Sequence, residues 1–320
     1  MNILKKLAKI LCVTVVSVIA LLLIIKAGEK IVYFDFYSNA QREFKIPGLS
    51  DGFVPQGLDY DADSSKYLTC GYSTKGASCV YIFDERGGGA VKCELKNADG
   101  TDYTGHTGGI AHSGDYVYIT AEDGLDVFRY SDIMSGGSAA VTGTFKTGID
   151  PAYCHIEDGC IYIGSFYREG NYETPARERI TTPSGDENTS LIEVYELDAS
   201  AEYGIITDAV CGYSAPGLVQ GMCFDENGRM VLSTSYGFAS SHLYVYDCTA
   251  EPSGEIEING SVTNLFYLDS GSLVETVKAP PMSEEIILRD GRIIIMTESA
   301  SNKYVFGKFM SGNYAYGIRL

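Results

Sequence analysis

The sequence predicts an all-β domain, a five-bladed β-propeller, behind a single hydrophobic helix. Three observations carry that prediction. A strand–turn–strand unit recurs five times, third and fourth apolar strands follow most copies, and helical periodicity is almost absent beyond the first thirty residues.

Taken in chain order, the first element is "MNILKKLAKILCVTVVSVIALLLIIKAGEK", whose uncharged run from Ile10 to Ile25 lies between lysines. Sixteen helical residues span roughly 24 Å, and Leu7, Ala8 and snorkelling lysines extend that reach toward a ~30 Å hydrocarbon core. No small-x-small cleavage site follows, so a membrane anchor is favoured over a cleaved signal. Lys5, Lys6 and Lys9 favour an internal amino end and an exported body, which makes residues 10–25 a membrane contact. The expected division is an anchor or signal at 1–30, a linker at 31–41 and the propeller at 42–320.

The five hairpins begin at Gln56, Gly108, Ala152, Gln220 and Ser283. Four of their turns contain Gly114, Gly159, Gly228 or Gly291, three of them as Asn-Gly or Asp-Gly, the strongest short hairpin signal. Third strands follow four of them, as "CVYIFD", "DVFRYS", "LIEVYELD" and "HLYVYD"; fourth segments are "VKCEL", "VTGTFKT", "GIITDAV" and "LVETVKA". Units of four strands at intervals of roughly 45 to 70 residues describe propeller blades more closely than a β-sandwich. The last unit ends at "GNYAYGIRL" with no residues for a fourth strand, while "REFKIPG" at 42–48 is a spare strand. If the spare strand completes the last blade, the ring closes and two sheet edges disappear. That count is five blades, with six as the alternative.

Charge limits the partners. One acid and five lysines lie in the first thirty residues, leaving 41 acids against 19 Lys plus Arg beyond them, a net of −22. Such a body repels phosphate backbones, so nucleic acid is not an expected partner. Eight cysteines follow Cys12, mostly inside apolar words where cysteine packs as a small hydrophobe. Cys154 and Cys160 flank one hairpin and are the first pair to test for a disulfide. There is no CxxC pair, and no metal site is assigned.

In a propeller, the loop entering each innermost strand and the loop between second and third strands open on one face. The side chains gathered there are Gln56, His106, Asp150, Tyr153, Gln220, Glu284 and Glu285 at the entries, and Tyr72, Glu122, Tyr167, Arg168, Tyr236 and Glu298 after the second strands. They are the candidate ligand-binding set at the channel mouth, with the inward member of Glu284 and Glu285 left open by a one-residue register ambiguity. The bland reading is a crowded axis of glycines and polar groups around trapped water. His106 suits proton transfer, since its ordinary pKa is about 6.5, but no serine elbow or HExxH accompanies it and a scaffold role is favoured. "DYDADSS" at 59–65 lacks the glycine and distal glutamate of a calcium loop and reads as a solvated turn. The insertion from Arg168 to Thr189 carries the basic cluster Arg168, Arg177 and Arg179 and reads as a lid or partner contact.

The words "VPQGLDYD", "LVQGMCFDENGRMVLSTSYG" and "HLYVYD" resemble exported propellers of the NHL-like, YncE-like, SMP-30-like and plant-type glutaminyl cyclotransferase families. "PQGL" at 55–58 is similar to a cyclotransferase word, but the tryptophan-containing words of that family are absent because the chain has no tryptophan. The Glu, Asn and Asp metal set of an SMP-30-like lactonase has no assignable counterpart. Two functions remain. The first is a tethered module that binds a small ligand, peptide, glycan or protein at the mouth. The second is an enzyme of the hydrolase, lactonase or cyclotransferase kind, with Glu284, Glu285 or Glu298 and His106 as acid/base groups or as ligands of a divalent cation, the one cofactor considered.

Overall fold

In the computed structural model, which describes residues 2–320, five antiparallel sheets surround one axis. Blade 1 comprises Phe53–Asp61, Lys66–Ser73, Cys79–Asp84 and Val91–Lys96. Blade 2 comprises Ile110–Ser113, Tyr116–Ala121, Gly124–Arg129 and Gly143–Lys146. Blade 3 is built from Pro151–Glu157, Cys160–Ser165, Ser190–Leu197 and Ile205–Ala215, and blade 4 from Val219–Phe224, Met230–Thr234, Ser241–Tyr246 and Leu273–Ala279. Ser283–Arg289, Arg292–Thr297 and Tyr314–Ile318 form blade 5, whose outer strand is Gln41–Lys45. Gln41 lies opposite Gly317 and Lys45 opposite Tyr314, so the amino-terminal strand closes the ring as its spare position implied.

The innermost strands stand side by side around the axis, blade 5 returning to blade 1. Each pair of neighbouring blades encloses an apolar layer. Leu68, Val80, Ile110 and Phe128 fill the layer between blades 1 and 2, and Tyr118, Leu125, Ile161 and Tyr195 that between blades 2 and 3. Tyr153, Ile192, Met222 and Leu232 lie between blades 3 and 4, Val231, Leu243, Ile286 and Ile295 between blades 4 and 5, and Phe44, Phe53, Phe83 and Ile294 between blades 5 and 1. The alternation of inward apolar residues along each strand supplies both faces of these layers.

Two blades are wider than expected. Gly137–Ala140 adds a parallel strand to the edge of blade 1, and the Gly254–Ile258/Ser261–Tyr267 hairpin adds two strands to blade 3, again by a parallel contact. Both additions come from the connection between third and fourth strands of the following blade.

The amino-terminal helix α1, Asn2–Val32, is exposed along most of its length and is long and apolar enough to cross a membrane. By itself that property fits an anchor and a signal sequence alike. The stretch read as a linker carries a second helix, α2, Phe34–Asn39. Tyr33 and Phe36 are buried against blades 4 and 5, the Tyr33 hydroxyl lies 3.0 Å from Ser240 Oγ, and Lys26 Nζ donates to the carbonyls of Phe309 and Met310.

All nine cysteines are thiols. Cys154 faces Ile163 across its hairpin and Cys160 faces Glu157, so the two never oppose each other and the disulfide considered from sequence does not form. Burial pushes the Cys79 thiol up to about 12 and that of Cys93 to about 11, as expected of packed rather than reactive cysteines.

A Cβ on Gly109 would lie 2.6 Å from the Cys154 nitrogen and 2.7 Å from the Tyr153 Cα, between two innermost strands. Gly109→Ala is expected to cost about 1–3 kcal/mol in denaturant unfolding. Gly76→Ala, with nothing within 4 Å, is the neutral control.

Candidate functional site at the channel mouth

Antiparallel strand order puts the entry to each innermost strand and the connection between second and third strands on one face of the disc. On that mouth face the innermost strands share a further feature. In four blades the pairing slips at the entry: between Pro55 and Gly57, Pro151 and Tyr153, Val219 and Gly221, and Ser283 and Ile286. A bulge re-aims the extra side chain. It turns Gln56 toward blade 5, where its amide nitrogen donates to Glu298 Oε2 at 3.2 Å.

Glu298 Oε2 also accepts the Tyr304 hydroxyl at 2.9 Å. Glu284 is buried beside Glu298, and among the described residues none hydrogen-bonds its carboxyl. Burial first, then the charges of Glu298 and Glu285, hold the Glu284 carboxyl far above the ordinary range. Burial pushes Glu298 up to about 7, against the Tyr304 hydroxyl, the Lys303 ammonium and the Gln56 amide, which favour its ionised form. Lys303 reaches the Tyr72 hydroxyl and lies 4.7 Å from the Tyr72 ring centre and 5.0 Å from that of Tyr304. The Tyr72 ring is 5.0 Å from that of His106, an exposed residue of the rim; desolvation by the surrounding side chains and the Lys303 charge hold its pKa below the usual value.

The predicted set therefore divides. Gln56, Tyr72, His106, Glu284 and Glu298 converge over blades 5, 1 and 2. Tyr167, Arg168 and Tyr236 form a separate patch over blades 3 and 4, with the Arg168 guanidinium 3.8 Å from the Tyr236 ring centre and Arg179 5.3 Å from that of Tyr167. Glu122 is exposed on its two-residue turn, and Gln220 is half-buried at its bulge. Tyr153 and Glu285 are displaced from the mouth into the wall. Tyr153 is fully buried over Gly164, and Glu285 Oε1 accepts the Met222 N–H at 2.9 Å while its Oε2 has no partner. The bulge settles the register ambiguity, with Glu284 toward Glu298 and Glu285 toward blade 4.

Lys303 and Tyr304 were not anticipated. They lie in the irregular connection 298–313, where no strand periodicity assigns a direction, and their one sequence signal is their nearness to Glu298. "DYDADSS" is also more structured than a solvated turn: Asp59 accepts the His112 backbone N–H at 2.9 Å and lies 2.7 Å from its Nδ1, and buried Asp61 binds Ser64 and Tyr130. The Arg168–Thr189 insertion is pinned, with Arg177 donating to Gly148 and Arg179 paired with Glu173 at 2.8 Å. Among the described residues no group of three or more His, Cys, Asp or Glu is arranged to hold a metal ion. Clefts of about 480 and 660 Å³ lie beside blade 4 and between blades 5 and 1, and neither includes Glu284 or Glu298.

The fold and this mouth define a β-propeller with a buried carboxyl pair. No family model matches the chain, and no curated protein matches it. Among solved structures it is similar to a putative oxidoreductase (glucose dehydrogenase) of Thermus thermophilus, with TM-score 0.47 and 12% identity over 87% of this chain and 99% of that one. It is also similar to a nidogen/laminin complex chain, with TM-score 0.39 and 14% identity over 77% and 73%, and to the periplasmic gluconolactonase of Pseudomonas aeruginosa, with 0.31 and 12% over 70% of each. At these scores they carry no argument about activity.

Because both carboxyls bind protons more tightly folded than unfolded, their stabilising protonation is complete below the unfolded value of about 4.5 and is lost as pH rises through the folded values. Glu298→Gln is expected to raise Tm by roughly 3–6 °C at pH 8 and to change it little at pH 4.5, measured by calorimetry.

Proposed function

We propose that the chain is a membrane-anchored, extracytoplasmic propeller that binds a small polyhydroxylated ligand, a glycan in the first instance, at the mouth over blades 5, 1 and 2. The observation that carries the reading is the buried pair Glu284 and Glu298, in which one carboxyl is tied to Gln56 and Tyr304 and the other has no protein partner. The unpartnered Glu284 carboxyl is not sealed off as Glu285 Oε2 is, so a ligand hydroxyl or amine at the mouth would give it a hydrogen-bond partner. The rings of Tyr72, His106 and Tyr304 lie close by, with the Lys303 ammonium near the two tyrosines. The anchor reading draws on α1, and the basic amino end supports an internal amino terminus.

The second reading is an enzyme of the hydrolase, lactonase or cyclotransferase type, and one observation favours it. Glu298 titrates near pH 7, where a general acid or base is most effective. The cyclotransferase-like word "PQGL" also contributes Gln56, the partner of Glu298. For a divalent cation, Glu284 and Glu298 are the remaining ligand candidates, because Glu285 is turned into the wall.

Titrating saccharides, amine-bearing peptides and divalent cations into the detergent-solubilised full chain tests these readings. At least one saccharide is expected to bind, with Glu284→Gln and Glu298→Gln each weakening it by about tenfold. Saccharide binding indifferent to both substitutions, or no saccharide binding, overturns the first reading. Turnover of a lactone or an amino-terminal glutaminyl peptide, reduced at least about 100-fold by Glu298→Gln, would replace it with the second.

A further inference from the structure

We propose that the mouth face of the propeller is seated on the surface of a lipid bilayer, with the connections of blades 4 and 5 dipping into the headgroup layer. This inference rests on the proposed anchoring by α1. The apolar run of α1 ends at Ile25, and the next residue, Lys26, donates to the carbonyls of Phe309 and Met310 in the connection between second and third strands of blade 5. Two turns on, Tyr33 meets Ser240 in the equivalent connection of blade 4. Both loops are thus held within a turn or two of the place where the span leaves the hydrocarbon.

The side chains of those loops suit that position. Beyond residue 40, the exposed phenylalanines and tyrosines are Tyr172, Tyr236, Phe238 and Phe306, and all four lie in connections between second and third strands. Phe306 is 68% exposed, Val305 beside it 69% and Phe238 55%. The remaining exposed large apolar residues of the propeller, such as Val91, Val210 and Val274, lie on outer strands. Exposed aromatic side chains on one rim, beside a spanning helix, match the interfacial preference of such rings.

Charge divides the face. In a body of net −22, the connections 74–78, 235–240 and 298–313 of blades 1, 4 and 5 hold Lys75, Lys303 and Lys308 with buried Glu298 as their single acid, whereas those of blades 2 and 3 carry Glu122, Asp123, Glu169, Glu173, Asp186 and Glu187 beside Arg168, Arg177 and Arg179. Lysines at this rim offset the repulsion that an acidic domain would meet at an anionic leaflet. The carboxyl pair opens on the same face, so a ligand would reach it from the headgroup layer.

The chain has no tryptophan, so single-tryptophan variants of the full protein report position directly. Phe306→Trp and Phe238→Trp would be reconstituted in phosphatidylcholine/phosphatidylglycerol vesicles containing brominated lipid. Asp115→Trp, in the first turn of blade 2 on the opposite face, is the aqueous control and Leu21→Trp the control for the span. Both loop variants are expected to be quenched at least about twofold more than Asp115→Trp, with blue-shifted emission. If Leu21→Trp is quenched and the loop variants match Asp115→Trp, the anchor reading stands and the seating is overturned. If Leu21→Trp and the loop variants all escape quenching, both are overturned. Quenched loops with an unquenched Leu21→Trp would keep the face on lipid and remove the anchor.

Discussion

The molecule depends on how closely five innermost strands approach one another. A Cβ at Gly57 would stand 2.6 Å from the Ile110 nitrogen, one at Gly109 2.6 Å from that of Cys154, and one at Gly221 2.6 Å from the Glu285 Cα. Only glycine permits backbone to meet backbone at these three contacts, and a ring this tight leaves little width at the axis. The entry bulges are the relief: each carries one residue out of the crowded ladder, in blades 1 and 4 directly before Gly57 and Gly221. That is why Gln56, Gln220 and Glu284 recur at one level, and why polar groups there are buried yet not packed into the apolar layers. Burial then raises the pKa values of the carboxyls, and the site's electrostatics follow from its geometry.

Blade 5 concentrates the features that set this chain apart within the ring. Its outer strand is the first strand of the domain, its longest connection supplies Glu298, Lys303 and Tyr304, and the same connection receives Lys26. Closing strand, amino-terminal helix and carboxyl pair are consecutive in space although their residues come from opposite ends of the chain. Tyr316 lies where the helical segment meets the closing blade, and Phe36 and Tyr37 pack edge-on against it at 6.1 and 5.4 Å.

Much of this was legible in the sequence because its signals are local. Asp158-Gly159 and Asp290-Gly291 both adopt positive φ at both residues, as a tight hairpin turn demands, and strand alternation assigns the apolar layers. The closing strand was legible by counting what blade 5 lacked. The site was only half legible. Period-two reasoning could not see the bulge between Ser283 and Ile286, so it could not separate Glu284 from Glu285, and it placed Tyr153 at the mouth when burial takes it into the wall. Lys303 and Tyr304 sit in irregular backbone whose direction is decided by contacts with blade 1, such as Ser301 Oγ donating to the Phe53 carbonyl, and no local pattern encodes those.

The parallel strands borrowed across blade boundaries have a mechanical meaning. Each laces a sheet to its successor: Gly137–Ala140 binds blade 1 to blade 2, and Ser261–Tyr267 binds blade 3 to blade 4. The ring is thereby partitioned into two stitched doublets and a solitary fifth sheet whose outermost strand is contributed by the amino-terminal segment. The fifth sheet is instead joined by what the amino-terminal segment brings to it, an outer strand and the packing of Tyr33 and Phe36, which makes that end of the chain its clasp.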